Sequence, residues 1–179
     1  MEAAVRLIAG KGIKATTVRS IAQEAGVTEA ALYRHYASKE DLYFDVYTRL
    51  VTEMIAAKRA IASSSAPVFE KLKEWVRVSY DSFDRHPDAF AFVLLTPHDF
   101  PESQREITTV QGRIFMDVVK QAQAAGEMKP IPPALALSHF TGVMLNVPRL
   151  INEGTLKGPA AKYLDEVASA VWRLLGAKP

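Results

Sequence analysis

The stretch TVRSIAQEAGVTEAALYRHYASKED, Thr17 to Asp41, decides how the rest of this chain is read. In Val18–Ala25 the apolar positions 18, 21, 22 and 25 follow the i, i+3, i+4, i+7 rule, so one helical face is buried. Gly26 comes next, where a helix C-terminus favours a residue free to adopt positive φ. Thr28 is placed to cap a second helix, Glu29 to Tyr36, with its hydroxyl accepting from the first-turn amides. That helix turns Leu32 and Tyr36 inward and leaves Thr28, Glu29, Ala30, Tyr33, Arg34 and His35 free. Two short helices joined by a Gly turn, the second carrying polar and aromatic tips outward, have the form that enters a DNA major groove.

Working outward, Glu2 to Lys11 reads as a first helix packed on this pair, joined to it through Gly10, Gly12 and Lys14, with Thr16 or Thr17 as the next cap. No basic arm precedes it in this sequence, so any minor-groove arm is expected to be either absent or lost from it. Ser38-Lys39-Glu40-Asp41 has the capping-box form and opens a helix to about residue 62, about 37 Å long at 1.5 Å per residue. Its apolar surface (Leu42, Val46, Leu50, Met54, Ala57, with Phe44, Tyr47, Val51 and Ile55) is wide enough to touch two bodies. Five more helices are expected beyond Ser63–Pro67. These are 68–85; a short helix 89–95 capped by Asp88; 103–125; 133–152, kinked at Pro148; and one from Pro159 to about Leu175. No period-2 alternation appears anywhere. The expected fold is all α, with about nine helices.

The 179 residues suffice for a sizeable core, and 49% are apolar, which excludes general disorder. With no cysteine, disulfides, thiolate metal sites and cysteine nucleophiles are excluded. Arg6 and Lys11 interrupt the N-terminal apolar run, so it does not read as a secretory signal. Residues 130–148 carry no formal charge over 19 positions, but they contain Ser138, His139, Thr141, Asn146 and four prolines. A buried core helix is expected there, not a membrane span. The net charge of +2 hides an asymmetry: residues 1–39 hold six Lys/Arg against three Glu, and the remainder is slightly acidic.

The opening stretch resembles the TetR family of bacterial transcriptional regulators. The matching residues are Thr17-Val18-Arg19-Ser20-Ile21-Ala22, then Ala25-Gly26-Val27-Thr28, then Leu32-Tyr33-Arg34-His35-Tyr36-Ala37-Ser38-Lys39-Glu40-Asp41-Leu42. The resemblance implies a helix–turn–helix DNA-binding domain over 1–46 and a helical effector-binding and dimerisation domain over 47–179. It implies that Thr17 and its helix N-terminus contact phosphate, that Arg19 reaches toward the groove, that Thr28, Glu29 and Ala30 face base edges, and that Tyr33, His35 and Lys39 clamp the backbone. These roles suit the residue types: Arg19 can pair with a guanine and Ala30 can meet a thymine methyl. Glu29 has two readings, acceptance from cytosine N4 or pairing with a base such as Arg34; Arg34 itself reads equally as a solvated surface residue.

The resemblance also implies a homodimer through the last two helices, about 133–152 and 160–175. Their apolar stripes exceed what one face needs, and Ala136, Ser138 and Gly142 would permit close approach. A hollow body would bind a small, largely apolar effector, with Trp75, Phe83, Phe92, Phe115, His139 and Phe140 as candidate lining residues. His139 also reads as a satisfied core histidine. His98-Asp99 looks like half a metal site but lacks further ligands at helical spacing, so a loop turn is expected and no metal or cofactor. With no catalytic constellation in view, no enzymatic activity is expected. The function expected is that of a cytoplasmic, nucleoid-associated repressor that binds a palindromic double-stranded operator as a homodimer and is released by its effector. The alternative is a DNA-binding protein controlled by a protein partner, or one with no small-molecule effector.

Overall fold

The computed structural model describes residues 2–11, 15–96, 98 and 100–176. The connection through Gly12 and Lys14, and Asp99 of the His98-Asp99 pair, lie outside them. The described residues form helices α1 (Glu2–Lys11), α2 (Val18–Ala25), α3 (Glu29–Tyr33), α4 (Lys39–Ser63), α5 (Val68–Arg85), α6 (Pro87–Phe90), α7 (Glu106–Ala124), α8 (Pro133–Asn152) and α9 (Leu164–Leu175). An isolated bridge between Met128 and Gly176 is the one β feature among them. The fold is all α.

The reading head closes through its caps. Thr17 accepts from the Ser20 amide while the Ser20 hydroxyl accepts from the Thr17 amide, a reciprocal box that satisfies two free donors. Gly26 sits at φ +69°, and the next amide, of Val27, returns to the Ala22 carbonyl at 3.0 Å. Ser38 caps α4 in an extended conformation, its hydroxyl accepting from the Asp41 amide.

Several boundaries differ from expectation for local reasons. The third helix ends at Tyr33, not Tyr36, because the chain must turn to bring Ser38 into the extended cap of α4. The sixth begins at Pro87, whose fixed φ suits the first helical position, so Asp88 lies inside the first turn and does not cap. Beyond Phe90 it widens into a π-helical turn, Ala91–Leu95, with the Thr96 hydroxyl donating to the Ala91 carbonyl. A separate 3-10 turn, Glu102–Gln104, precedes α7. The ninth helix starts as a 3-10 turn, Ala160–Tyr163, whose first two amides donate to the Asp84 carboxylate at 2.6 and 2.9 Å.

Two hydrophobic clusters share α4. The head cluster joins Val5, Ile8, Ile21, Leu42 and Val46 and extends to Phe92, Val93 and Phe100 of the body. The body cluster contains Leu72, Trp75, Phe115, Phe140 and Val171, with Ile61 from the far end of α4.

In α8 the stripe Ala136, Phe140, Met144, Pro148 enters the core. The helix is long and apolar enough to span a membrane by length and composition, yet only 22% of that window is buried within the chain. The expectation of a buried core helix therefore holds for one face only. Ala136 is fully buried, so it does not serve the outer face; Ser138 and Gly142 do remain outward. In α9 the expected surplus is mostly consumed inside the chain: Val167, Ala168, Val171 and Leu175 are buried, and Leu174 is the large apolar residue left exposed.

Pro148 has no amide hydrogen, so the Met144 carbonyl one turn earlier loses its helical donor. The buried Tyr80 hydroxyl takes that place, donating to the Met144 oxygen at 3.0 Å. Tyr80→Phe would strand a buried carbonyl and is expected to cost about 1–3 kcal/mol in urea unfolding. In a Pro148→Ala background, where the helix regains its own amide, the same substitution should cost clearly less. An equal cost in both backgrounds would disprove the compensation.

Candidate DNA-reading surface and body cavities

The head presents one polar surface. Arg19, Thr28, Glu29, Ala30, Tyr33, Arg34 and His35 are all exposed, Tyr33 at 53%. Thr17 and Thr28 use a hydroxyl lone pair to cap their own helices, through Ser20 and Ala31 amides at 3.1 Å each. The hydroxyl proton of each is thereby left to donate outward, which is what a phosphate oxygen accepts. Lys39 is half-buried and its ammonium donates to the Thr16 carbonyl at 3.0 Å, bracing the start of α4 against the approach to α2. Its charge therefore sits at a fixed point beside two helix N-termini. Among the described residues Glu29 has no ion pair with Arg34. Val27 is 45% exposed in the turn, an apolar contact beside the reading helix that sequence reasoning did not select. Its place directly after Gly26 was the available signal.

The body holds two adjoining cavities. One, of about 440 Å³, lies among α4, α5, α7 and α8 and is lined by Trp75, Phe115 and Phe140. These three rings contact one another, with Phe115 stacked on Phe140 at 4.5 Å and Trp75 edge-on to Phe115 at 5.6 Å. The other, of about 770 Å³, opens between α4, α5 and α6 and reaches Val5 and Arg6 of α1. Lys58, Ser79 and Leu94 line both. The other expected lining residues lie elsewhere. Phe83 and Phe92 are buried in the cores, because Phe83 packs on Phe90 and Phe92 packs on Tyr43. His139 lines neither cavity: in α8 it sits outside the core stripe, and its Nδ1 is buried with no hydrogen-bond partner among the described residues.

His98 also borders the smaller cavity and was expected to be a loop residue. It stacks on Phe100 at 5.2 Å and meets Tyr47 edge-on. The Tyr43 hydroxyl donates to its Nδ1 at 2.6 Å and its Nε2–H donates to the Val93 carbonyl at 3.3 Å, the tautomer that satisfies both partners. Burial pushes its pKa below the ordinary histidine value, and burial pushes the Tyr43 and Tyr47 phenols up to about 12. This corner is a neutral, hydrogen-bonded aromatic wall. Among the described residues no group of acids and histidines is arranged to hold a metal ion.

Lys58 is the residue that sequence reasoning missed most consequentially. It is 3% exposed, and its ammonium donates to the Trp75 carbonyl at 3.2 Å and to the Ser79 hydroxyl. Burial lowers its pKa to about 7. Its signal was positional: residues 51, 55, 58 and 61 form one apolar track along α4, with a lysine in it.

Known proteins fit this geometry at two levels. Residues 1–46 match the profile described as bacterial regulatory proteins, tetR family. Over 136 residues the chain is 28% identical to the HTH-type transcriptional repressor KstR2 of Mycobacterium tuberculosis, covering 73% of this chain and 68% of that one. The transcriptional regulator FadR of Bacillus subtilis, solved in complex with stearoyl-CoA, superposes with a TM-score of 0.82 at 19% identity, covering 95% and 94% of the two chains. AibR, solved with isovaleryl coenzyme A and operator DNA, superposes with a TM-score of 0.77 at 21% identity over 94% and 93%. The structural likenesses establish a shared whole-chain fold, and the family profile falls on the helix–turn–helix. Residues 1–46 are thus a DNA-binding domain of the TetR family of bacterial transcriptional regulators, within a chain that shares its fold with such regulators.

Proposed function

We propose that the protein is a homodimeric repressor released from a palindromic operator by a small, largely apolar effector, in the cytoplasm and at the nucleoid. The role is regulatory and not catalytic. The observation that carries this reading is the pair of cavities: an aromatic chamber in the body adjoins a cleft whose far wall is α1 of the reading head. A ligand seated there touches both domains and can favour one arrangement of the heads over another, provided it binds the two with unequal affinity. Support comes from relatives named as a repressor and as regulators solved with acyl-coenzyme A ligands.

One reading helix spans only a few base pairs, so affinity requires two heads about one helical turn apart. The outer face of α8 supports this. Leu135 is 44% exposed, and Ser138, Gly142 and Asn146 are outward. On the DNA side Thr17, Arg19, Thr28, Glu29, Ala30, Tyr33, Arg34, His35 and Lys39 form the proposed contact set.

With a duplex selected from random sequence, Arg19→Ala and Tyr33→Ala are each expected to weaken binding in a gel shift by about ten- to a hundredfold. Specific binding left unchanged by both would sink the assignment. For the dimer, a Cβ added at Gly142 meets no atom within 4 Å in the chain. Gly142→Arg should therefore keep the helical circular dichroism while shifting sedimentation from dimer to monomer; a dimer retained intact would remove α8 from the interface.

A further inference from the structure

A lysine in an apolar interior is unusual, and Lys58 is placed at the junction of two cavities. Its ammonium has three protons. Two have acceptors, the Trp75 carbonyl and the Ser79 hydroxyl, and the Ser79 hydroxyl donates its own proton to the same Trp75 carbonyl at 2.7 Å. The Trp75 ring lies 5.0 Å from the nitrogen, a cation–π contact. None of these partners carries a charge. The carboxylate whose field reaches it is Glu74, but Glu74 is held by Arg77 through two hydrogen bonds and stands at the surface. A buried cation with neutral partners is costly, and packing gives no reason for lysine over methionine at this point.

The surroundings supply a reason. Lys58 faces a chamber of about 440 Å³, within the range of about 300–1,000 Å³ common for small-ligand sites. The chamber's apolar walls include Trp75, beside the amine, with Phe115, Phe140 and Met144. Arg105 also borders this chamber, donating to the Phe100 carbonyl, but Lys58 is the buried cation in its lining, and a buried ammonium beside aromatic walls is complementary to an amphipathic anion.

We propose that the effector is an apolar monocarboxylate whose carboxylate seats on the Lys58 ammonium, with its hydrocarbon in the Trp75–Phe115–Phe140 chamber. This rests on the reading of the body as an effector chamber and narrows it to one head-group chemistry. Binding supplies the missing countercharge and draws a proton onto Lys58, which burial holds near pKa 7 in the free protein. The ionisable groups around it are Glu74 on α5, Tyr47 on α4, His98 beyond the π turn and Arg105 before α7, with Glu2, Arg6, Glu53, Arg85, His86 and Asp88 in the adjoining cleft. The free protein loses its Lys58 proton as pH rises through 7 and the complex keeps it, so affinity falls with pH by up to about tenfold per unit.

The test uses the full chain and calorimetric titration with decanoate, methyl decanoate and 1-decanol. Wild type should bind decanoate at least tenfold more tightly than the ester or alcohol, take up protons on binding at pH 8, and weaken steeply toward pH 9.5. Lys58→Met should abolish the acid preference, the proton uptake and the pH dependence. Because it removes a buried charge, it should melt no lower than wild type, which separates lost recognition from lost folding. Equal affinity for acid and ester in wild type, an acid preference retained in Lys58→Met, or no binding of decanoate would each overturn the carboxylate assignment. Operator release by the ester or alcohol would leave the effector chamber standing while removing Lys58 from it.

Discussion

Helix α4 must satisfy two cores with one apolar surface. Its first half carries Leu42, Tyr43, Val46 and Tyr47 into the head, and its far end carries Ile61 into the body. Twenty-five residues at 1.5 Å each give about 37 Å of rigid rod, so a tilt at one end displaces the other. That coupling has no give within it, because each end is anchored. Lys39 ties the start to the Thr16 carbonyl, and Lys58 ties the body end to α5. The head is thus positioned by side chains that pack more than forty residues away in sequence, and Phe92, Val93 and Phe100 complete the head core from the body.

Polar groups inside such a core need partners, and the body solves this three times by different means. Tyr80 supplies the donor that Pro148 removes, so α8 runs through a proline as a helix. His98 stays neutral between a phenol and a carbonyl within a ring of aromatics. Lys58 has acceptors but no countercharge. The first two are closed networks, complete without a ligand. The third has acceptors for two of its protons and no countercharge, which is why it, and not the histidine, is the place in this core where an added anion would lower a cost.

Much of the fold was legible because its signals are local. The limits of α2, α4 and α5 follow from Thr17, Gly26, Ser38 and Pro67, each acting on residues within one turn. The exposed set on the head was legible for the same reason: once Leu32 turns inward, the helical period of Glu29–Tyr33 puts Glu29, Ala30 and Tyr33 outward. What was not legible depends on distant contacts. Tyr80 meets Met144 across 64 residues and Asp84 caps the turn at Ala160 across 76, and neither pairing leaves a mark on its own neighbourhood. Aromatic residues were equally opaque. Trp75, Phe83, Phe92, Phe115 and Phe140 carry the same apolar pattern, and only the geometry separates rings that wall a cavity from rings that fill a core. Lys58 could have been noticed, since a lysine on an apolar track is a local anomaly, but its burial depends on α5.

The π turn Ala91–Leu95 explains how a cavity event can reach the head without a hinge. In a regular helix, residues 92, 93 and 94 would project about 100° apart; the wider π turn changes that spacing locally. Here Phe92 and Val93 enter the head core beside Tyr43 and Tyr47, and Leu94 lines both cavities. One short segment therefore belongs to the cavities' wall on one side and to the head's core on the other. A ligand that presses on Leu94 acts on Phe92 through two peptide units, with no intervening packed layer to absorb the shift. The size of the response is bounded by the ligand's preference: turning a 1:99 mixture of released and bound geometries into 99:1 needs about a 10⁴-fold difference in affinity for the two. An apolar tail alone contacts both geometries similarly, since hydrophobic burial is non-directional. A charge pair with Lys58 is directional and fails if α4 moves its amine away from the chamber, so the head group, more than the tail, is what can discriminate between the two geometries.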